Sequence, residues 1–262
     1  MTPPHNHKMP ALFLGHGSPM NVIEKNPFAD RWEQLGKSMP RPRAIVSISA
    51  HWETTGTRVT AMENPRTIHD FGNFPQALFD IQYAAKGDPH LAEKIRSIVN
   101  KTEVTLDYKW GLDHGTWGVL IKMYPDASVP VVQLSLDKKL TPKEHYEIGK
   151  ELKPLRDDGI LVLGSGNMVH NLSQLSFDPK DNSADWAAEF DETIKQFLLK
   201  GNHQSILDFK SLGEIARLSA PTPEHLLPLI YIIALQDKEE RVTFPVEGLV
   251  ARGVSMRAVM IS

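Results

Sequence analysis

Short apolar runs alternate with longer amphipathic segments along this chain. Four apolar runs have the length of a buried β-strand, and each begins with a β-branched or small apolar residue: Ala11–Leu14, Ala44–Ile48, Val131–Leu136 and Ile160–Leu163. Four other segments have the length and pattern of helices: Pro27–Ser38, Pro89–Asn100, Pro142–Arg156 and Ala184–Lys200. Because strands alternate with helices, the pattern predicts an α/β sandwich in which helices flank a central, largely parallel or mixed sheet.

The pattern indicates a single domain. One hydrophobic core can serve a chain of up to about 250–300 residues, and this chain has 262 without a break in composition. The polar stretch Phe177–Ser183 predicts a loop rather than a tether between domains, and the alternating stretch Val254–Ile261 predicts a further sheet strand. We therefore expect a flexible tail over residues 1–8 and one domain over residues 9–262.

Composition and charge narrow the function without defining it. The net charge of −3 provides no basic surface for nucleic acid or for an anionic membrane. The N-terminal residues lack the apolar run of a secretory signal, and no stretch approaches the ~18 consecutive apolar residues of a membrane helix, so we expect a cytoplasmic protein. Cysteine is absent, which excludes thiolate nucleophiles, zinc knuckles and iron–sulfur clusters.

Histidine is the residue type whose placement points to chemistry, and the chain has 11 of them. His5 and His7 fall in the polar N-terminal tail, where chain ends are usually mobile. His90, His145 and His203 fall in helix-like, charged surroundings. We interpret the first two as tail residues and the other three as surface residues.

Three other histidines follow predicted strands. His16 and His51 stand just past the first two strands, and His170 follows the fourth by way of a short glycine-containing segment. Ligands of open α/β sheets bind outside the carboxyl ends of the strands, so these three side chains can converge on one point. The glycines on either side of His16 suit the sharp backbone turn of a crowded site.

His225 is the fourth candidate. Thr222 fits an N-cap and Pro223 a first helical residue, so the sequence predicts His225 in the first turn of a helix that runs to about Leu235. The helix dipole opposes imidazolium formation there, and neutral imidazole is the form that a metal binds. Each histidine taken singly also fits a structural role. Taken together, the four predict a divalent-metal site, although the chain has neither HExxH nor paired CxxC.

Two further segments each leave two interpretations open. In Gly111–Gly118, Asp113 either orients the ring of His114 next to a ligand or starts a helix beside an incidental histidine. The stretch Ile68–Pro75 is rich in aromatic and turn residues, and it is either a lid over a planar substrate or an ordinary packed loop. The residues alone do not decide between these interpretations.

Six motifs, in order, resemble those of the class III extradiol ring-cleaving dioxygenases of the DOPA-dioxygenase type: LFLGHGSPM, SAHW, HDFGNFP, DHGTWGVL, GSGNMVHNL and PTPEH. The likeness extends from about Met9 to the C-terminus, and six motifs in register are far more specific than any one. The resemblance implies that the domain is catalytic. It also implies that the enzyme cleaves the ring of a small-molecule catechol with O₂ and yields a muconic semialdehyde. We expect a monomer or a small homo-oligomer, and the sequence does not decide between them.

The resemblance also implies roles for the histidines. It implies one divalent metal per chain, bound by His16, His51 and His225, with His170 either a fourth ligand or the catalytic base. His114 would donate to the substrate or to oxygen. We expect Fe²⁺ to be required for turnover. Zinc is expected in the purified protein, because three or four neutral nitrogens also suit Zn²⁺.

One feature departs from the familiar iron site of non-haem dioxygenases, which has two histidines and a carboxylate. The third position is His225, and Glu224 stands next to it. Two alternative functions therefore stay open. A zinc hydrolase would use Glu224 or Asp113 as its base, and a non-catalytic member of the fold would bind partners through the metal cleft.

Overall fold

A mixed β-sheet forms the centre of the protein, whose computed structural model describes residues 8–176 and 184–262. The predicted loop Phe177–Ser183 and the first seven residues of the predicted tail, with His5 and His7, lie outside the described residues. The described strands are β1 (Ala11–Gly15), β2 (Ala44–Thr54), β3 (Thr57–Thr60), β4 (Val104–Asp107), β5 (Val131–Asp137), β6 (Ile160–Gly166), β7 (Val242–Thr243), β8 (Leu249–Val250), β9 (Val254–Ser255) and β10 (Val259–Ile261).

Helices pack on the sheet from both sides. Those in the described ranges are α1 (Pro27–Ser38), α2 (Gln76–Phe79), α3 (Pro89–Ile98), α4 (His114–Met123), α5 (Pro142–Glu151), α6 (Pro154–Asp157), α7 (Asp185–Leu199), α8 (His203–Leu207), α9 (Glu214–Ser219) and α10 (Leu227–Ala234). Short 3₁₀ helices span Pro19–Val22, Leu172–Gln174 and Phe209–Leu212. None of the helices in these ranges is long and apolar enough to cross a membrane.

The main sheet has the strand order β4-β3-β5-β2-β6-β1-β10-β7. Its central strands β5, β2, β6 and β1 run parallel to one another. The sheet is nevertheless mixed, because β10 pairs antiparallel with β1 and β3 pairs antiparallel with β5. The predicted α/β architecture, with helices around a largely parallel or mixed sheet, is confirmed.

The central strands are rich in apolar residues because both faces of the sheet are covered. Successive residues of a strand point to opposite faces. On β1, Phe13 packs in the layer that contains α7 and α10, whereas Leu12 and Leu14 pack in the layer that contains α1 and α4. Because helices cover both faces of the sheet, a ligand is expected to bind at the carboxyl ends of these strands, between the two layers.

Several of the predicted helices begin with the same local signal. Helices α1, α3 and α5 each start with a proline, preceded by a capping residue whose side chain accepts a backbone N–H of the first turn: Asn26, Asp88 and Thr141 respectively. Proline suits a first helical position because its missing N–H has no partner there in any case. These local signals explain why the predicted helix starts at Pro27, Pro89 and Pro142 match the structure.

The structure corrects other element boundaries. Strand β2 continues past Ile48 to Thr54, so His51 lies inside a strand rather than beyond its end. The predicted helix Pro142–Arg156 is divided into α5 and α6, because Pro154 cannot continue the hydrogen-bond pattern of α5. The predicted strand Val254–Ile261 is also divided: β9 pairs with β8, and β10 joins the main sheet.

One of the three histidines predicted on the surface is buried. His145 has no exposed surface, and its Nδ1 lies 2.9 Å from the hydroxyl of Tyr231 on α10. The prediction failed because His145 points from α5 toward α10, while its charged neighbours point to solvent. His203 is half-buried, and His90 is exposed as predicted.

Candidate metal centre

Three histidines meet at the carboxyl ends of β1, β2 and β6. His16 follows β1 directly, and its backbone N–H donates to the carbonyl of Gly166 at the end of β6, over 3.0 Å. His51 lies in the last part of β2, at an irregularity in the pairing of that strand with β5. His225 lies in the turn just before α10. Residues far apart in the chain are thus held together by adjacent strands and a helix that packs on β6.

The nitrogens of these three rings are close enough to share one ion. Nε2 of His16 lies 3.1 Å from Nε2 of His51, and one ligand nitrogen from each of the three rings falls within 4.8 Å of the others. Two imidazole nitrogens bound to one metal at about 2.0–2.1 Å are separated by roughly 3.0–3.4 Å. The distance between His16 and His51 fits that range.

The opposite nitrogen of each ring faces an oxygen. Nδ1 of His16 lies 3.0 Å from Oγ of Ser165, Nδ1 of His225 lies 3.1 Å from a carboxylate oxygen of Glu224, and Nδ1 of His51 lies 3.2 Å from a carboxylate oxygen of Asp70. Carboxylate oxygens only accept hydrogen bonds. The Ser165 hydroxyl donates to a backbone carbonyl, so its oxygen accepts from His16. Nδ1 of His16 and of His225 therefore carries the hydrogen, and Nε2 of each presents a lone pair. The Asp70 carboxylate near His51 favours the same tautomer by its charge, through a close contact rather than an aligned hydrogen bond.

The Nε2 atom of His225 provides the strongest indication of a ligand. It is buried and has no hydrogen-bond partner among residues 8–176 and 184–262. A buried polar atom without a partner costs free energy, so native structures rarely retain one without a reason. Together, one nitrogen from each of the three imidazoles forms a set of donors that suits a divalent metal. The residues present fit such an ion.

The electrostatics of the cluster favour neutral rings. Burial holds the pKa of His16 and of His51 well below the ordinary value, and the neighbouring histidines lower both further. Burial also lowers the pKa of His225, although the Glu224 carboxylate acts in the opposite direction. Neutral imidazole is the metal-binding form, so these three rings are prepared for a cation without first losing a proton.

The predicted helical setting of His225 was wrong. Helix α10 begins at Leu227, two residues after His225, and the Thr222 hydroxyl bonds the carboxylate of Glu224 instead of capping the helix. The dipole of a first helical turn therefore does not account for a neutral His225. Burial lowers its pKa instead.

His170 lies beside the three-histidine group. Its ring stacks on that of His225, with centroids 3.4 Å apart and planes at 9°. Its ligand nitrogen groups with Glu224 and His225 rather than with His16 and His51. Burial lowers the pKa of His170 to about 3, with a further lowering by His225 and an opposing effect of Glu224.

His114 also belongs to the cluster. Its ring centroid lies 4.0 Å from that of His51 and 5.6 Å from that of His16. Asp113 caps helix α4 by accepting the backbone N–H of Thr116 and does so without holding the His114 ring. The helix-start interpretation of Asp113 therefore applies, but His114 is not incidental.

Asp70 and Ser165 are site residues that the sequence analysis missed. Asp70 Oδ2 lies 2.9 Å from Nδ1 of His114, so the carboxylate that orients the His114 ring is Asp70 and not Asp113. Asp70 belongs to the aromatic stretch Ile68–Pro75, and the HDFGNFP motif was the available signal. Ser165 lies within the GSGNMVHNL motif, in which the glycines and His170 carry the more obvious signal.

The stretch Ile68–Pro75 borders the cluster and packs against α4. The indole N–H of Trp117 donates to the carbonyl of Ile68 over 2.8 Å. The Phe71 ring lies edge-to-face with that of His114, with centroids 5.4 Å apart. An aromatic wall thus stands next to the histidines, while closure of this segment over a substrate stays a prediction.

Glycines allow the close approach of backbone at the site. A Cβ on Gly166 would lie 2.1 Å from the carbonyl oxygen of His225, and one on Gly115 would lie 2.9 Å from the ring of His51. Gly17 has φ +61°, a left-handed conformation that favours glycine directly after His16. The glycine spacing around the histidines follows from these contacts.

Comparison with known proteins places this arrangement in a family. Residues 10–259 match the family described as the catalytic LigB subunit of aromatic ring-opening dioxygenase. The chain is 50% identical to "4,5-DOPA dioxygenase extradiol" of Escherichia coli (strain K12), over 97% of this chain and 95% of that protein. It is 35% identical to the protein of the same name from Mirabilis jalapa, over 92% of each.

A solved structure agrees with the fold. The crystal structure of an uncharacterized protein from Escherichia coli K12 superposes with a TM-score of 0.86 at 44% identity, covering 97% of this chain and all of that one. The chain belongs to the LigB family of aromatic ring-opening dioxygenases. Within that family it is an extradiol dioxygenase of the DOPA-dioxygenase type, which confirms the resemblance of the six motifs. The named relatives carry dioxygenase names, so they favour neither the hydrolase nor the non-catalytic alternative.

Proposed function

We propose that this enzyme opens the aromatic ring of a DOPA-like catechol next to the diol, with O₂, at one divalent metal held by His16, His51 and His225. The observation that carries the proposal is the buried Nε2 of His225, which has no hydrogen-bond partner in the described part of the chain, together with the grouping of a His225 ligand nitrogen with those of His16 and His51 within 4.8 Å. Bound Fe²⁺ would supply the redox chemistry that dioxygen requires, together with open positions for the two catechol oxygens. Zinc fits the same nitrogens but has no redox chemistry.

His170 is the proposed base. Its neutral ring stacks on His225 next to the cluster, so it can take a proton from a catechol hydroxyl and return it later in the reaction. The stacked geometry supports this role over that of a fourth ligand, because the ligand nitrogen of His170 groups with Glu224 and His225 instead of with His16 and His51.

The catechol ring is proposed to lie against the aromatic wall. Phe71 is half-buried beside His114, and it offers an apolar surface next to the nitrogens. Aromatic rings pack favourably edge-to-face or offset. The relatives from Escherichia coli and Mirabilis jalapa are both named for DOPA, so we propose DOPA as the first catechol to test. A cytoplasmic location and the oligomeric state stay predictions.

Oxygen uptake tests the proposal. Protein stripped with a chelator and reloaded with Fe²⁺ is mixed with DOPA, dopamine or protocatechuate, while tyrosine serves as the matched monophenol with one ring oxygen. We expect O₂ consumption and a yellow semialdehyde with the catechols only, with both atoms of labelled O₂ in the product. Zinc-loaded protein should bind catechol without consuming O₂. Intact catechols in air with the iron form, combined with ester or amide hydrolysis by the zinc form, would replace the proposal with a hydrolase.

A further inference from the structure

Asp70 contacts two histidines of the cluster at once. Its Oδ2 lies 2.9 Å from Nδ1 of His114 and 3.2 Å from Nδ1 of His51. Its Oδ1 accepts the backbone N–H of His114 over 2.8 Å. The carboxylate is mostly buried, with 15% of its side chain exposed, so water does not compete strongly for these contacts.

These contacts determine where the ring hydrogens lie. A carboxylate accepts hydrogen bonds and donates none, so a neutral ring that turns Nδ1 toward Asp70 carries its hydrogen on that nitrogen. Nε2 of His51 is then free for a metal, in line with its position 3.1 Å from Nε2 of His16. In the same tautomer, Nε2 of His114 presents a lone pair.

We propose that Asp70 is a positioning residue that fixes the tautomer of both the metal ligand His51 and its neighbour His114. The inference rests on the proposed function in taking His51 as a ligand. It also changes the role implied for His114 by the family resemblance. In the tautomer whose hydrogen bonds Asp70, Nε2 of His114 accepts a hydrogen bond, as from a catechol hydroxyl, instead of donating one.

The backbone contact makes Asp70→Asn a directed test. Because the His114 N–H requires an acceptor at the Oδ1 position, the amide oxygen of asparagine takes that position. The NH₂ group then faces both Nδ1 atoms, where it opposes Nδ1–H on either ring. Asp80→Asn is the matched control, because Asp80 is an exposed carboxylate ten residues further along that bonds the side chain of Gln76.

The experiment uses zinc-loaded protein, which is diamagnetic and needs no turnover. Long-range ¹H–¹⁵N NMR of histidine-labelled protein reports the tautomer of each ring, and competition with a chelator reports zinc affinity. In the wild type and Asp80→Asn we expect Nδ1–H on His51 and His114. In Asp70→Asn we expect His114 to change to Nε2–H, and zinc affinity to fall about 10–100-fold, as for other partners of metal-bound histidines.

Several results would overturn the inference. Nε2–H on His114 in the wild type would do so whether or not the variant folds. An unchanged tautomer and zinc affinity in Asp70→Asn, with only a lower melting temperature, would reduce Asp70 to a structural residue. A second zinc per wild-type chain that is lost in Asp70→Asn would make His51, Asp70 and His114 a metal site in their own right, since their ligand atoms lie within 4.8 Å. Failure of ring cleavage would leave all of these readouts intact, so the two proposals can fail separately.

Discussion

The imidazole of His170 lies flat on that of His225, with ring centroids 3.4 Å apart and planes at 9°. A stacked ring presents its face, not a nitrogen lone pair, to its neighbour. The lone pair of a ring nitrogen lies in the plane of its own ring, so the nitrogens of His170 and the Nε2 of His225 that we propose as a metal ligand point along two separate, nearly parallel planes. This relationship separates the expected effects of removing the two residues.

Removal of a metal ligand should remove the metal. We expect His16→Ala, His51→Ala and His225→Ala each to lower bound metal well below one per chain, because each takes away one of the three grouped nitrogens. Elemental analysis of the purified proteins measures this. His90→Ala, on the exposed face of α3, is the control and should bind as the wild type does. Full metal in any of the three variants would remove that residue from the ligand set.

Removal of His170 should have a different effect. We expect His170→Ala to keep its metal and to bind catechol, but to lose turnover by about 10²–10⁴-fold, the usual contribution of a positioned base. Metal content, catechol titration and kcat together test this. Loss of metal would indicate a fourth ligand instead, and wild-type turnover would exclude both roles.

Backbone contacts at the site are also testable. In Gly166→Ala the new methyl group would lie 2.1 Å from the carbonyl oxygen of His225, so the backbone that carries this ligand must move. We expect weaker metal binding and a loss of about 1–3 kcal/mol in the free energy of unfolding, as for other overpacked sites. Gly118→Ala is the control, since its methyl group would meet Val22 at an ordinary 3.6 Å. Equal metal affinity in both variants would argue against a tight approach at Gly166.

Buried His145 should make stability depend on pH. Burial lowers its pKa from 6.5 to about 4, despite an opposing effect of Asp137. The folded protein thus favours the neutral ring, and the unfolded chain binds a proton at higher pH. The stabilisation is complete above pH 6.5 and is lost as the pH falls toward 4, by about 3 kcal/mol in total.

The variant His145→Gln isolates this contribution, because an amide can bond the Tyr231 hydroxyl without titrating. Urea unfolding at a series of pH values should give a shallower decline for this variant than for the wild type below pH 6.5. The other buried histidines titrate in both proteins and cancel in the difference. His90→Gln, at an exposed position, should follow the wild type. Parallel curves for His145→Gln and the wild type would show that His145 does not titrate in this range.

The sequence predicted correctly those strands and helices whose pattern is visible within a few neighbouring residues. Buried strands such as Ile160–Leu163 are continuous apolar runs, and helix starts such as Pro142 have a capping residue next to them. The end of β2 was missed because Ser49, His51 and Glu53 are polar and interrupt the apolar pattern. That polar stretch carries a site residue, so the pattern is weakest where function requires polar side chains.

The missed site residues depend on contacts between distant parts of the chain. Asp70 and His114 are 44 positions apart, and His16 and Ser165 are 149 apart. The residues next to Asp70, His69 included, do not indicate that the ring of His114 will lie beside it. Asp113 stands next to His114 in sequence and was therefore the expected hydrogen-bond partner of its ring. In the structure, the Asp113 carboxylate instead caps helix α4. Proximity in the chain was therefore a poor guide to the partners of the rings.

The span of the three-histidine group has a consequence for the order of events during synthesis. His16 and His225 are roughly 200 residues apart, and ribosomes add about 5–20 residues per second. His16 therefore leaves the ribosome on the order of 10–40 s before His225 does. A nascent chain can offer at most two of the three nitrogens during that interval. Metal binding by all three of the proposed ligands is thus a late event, which cannot be completed before His225 has been synthesised.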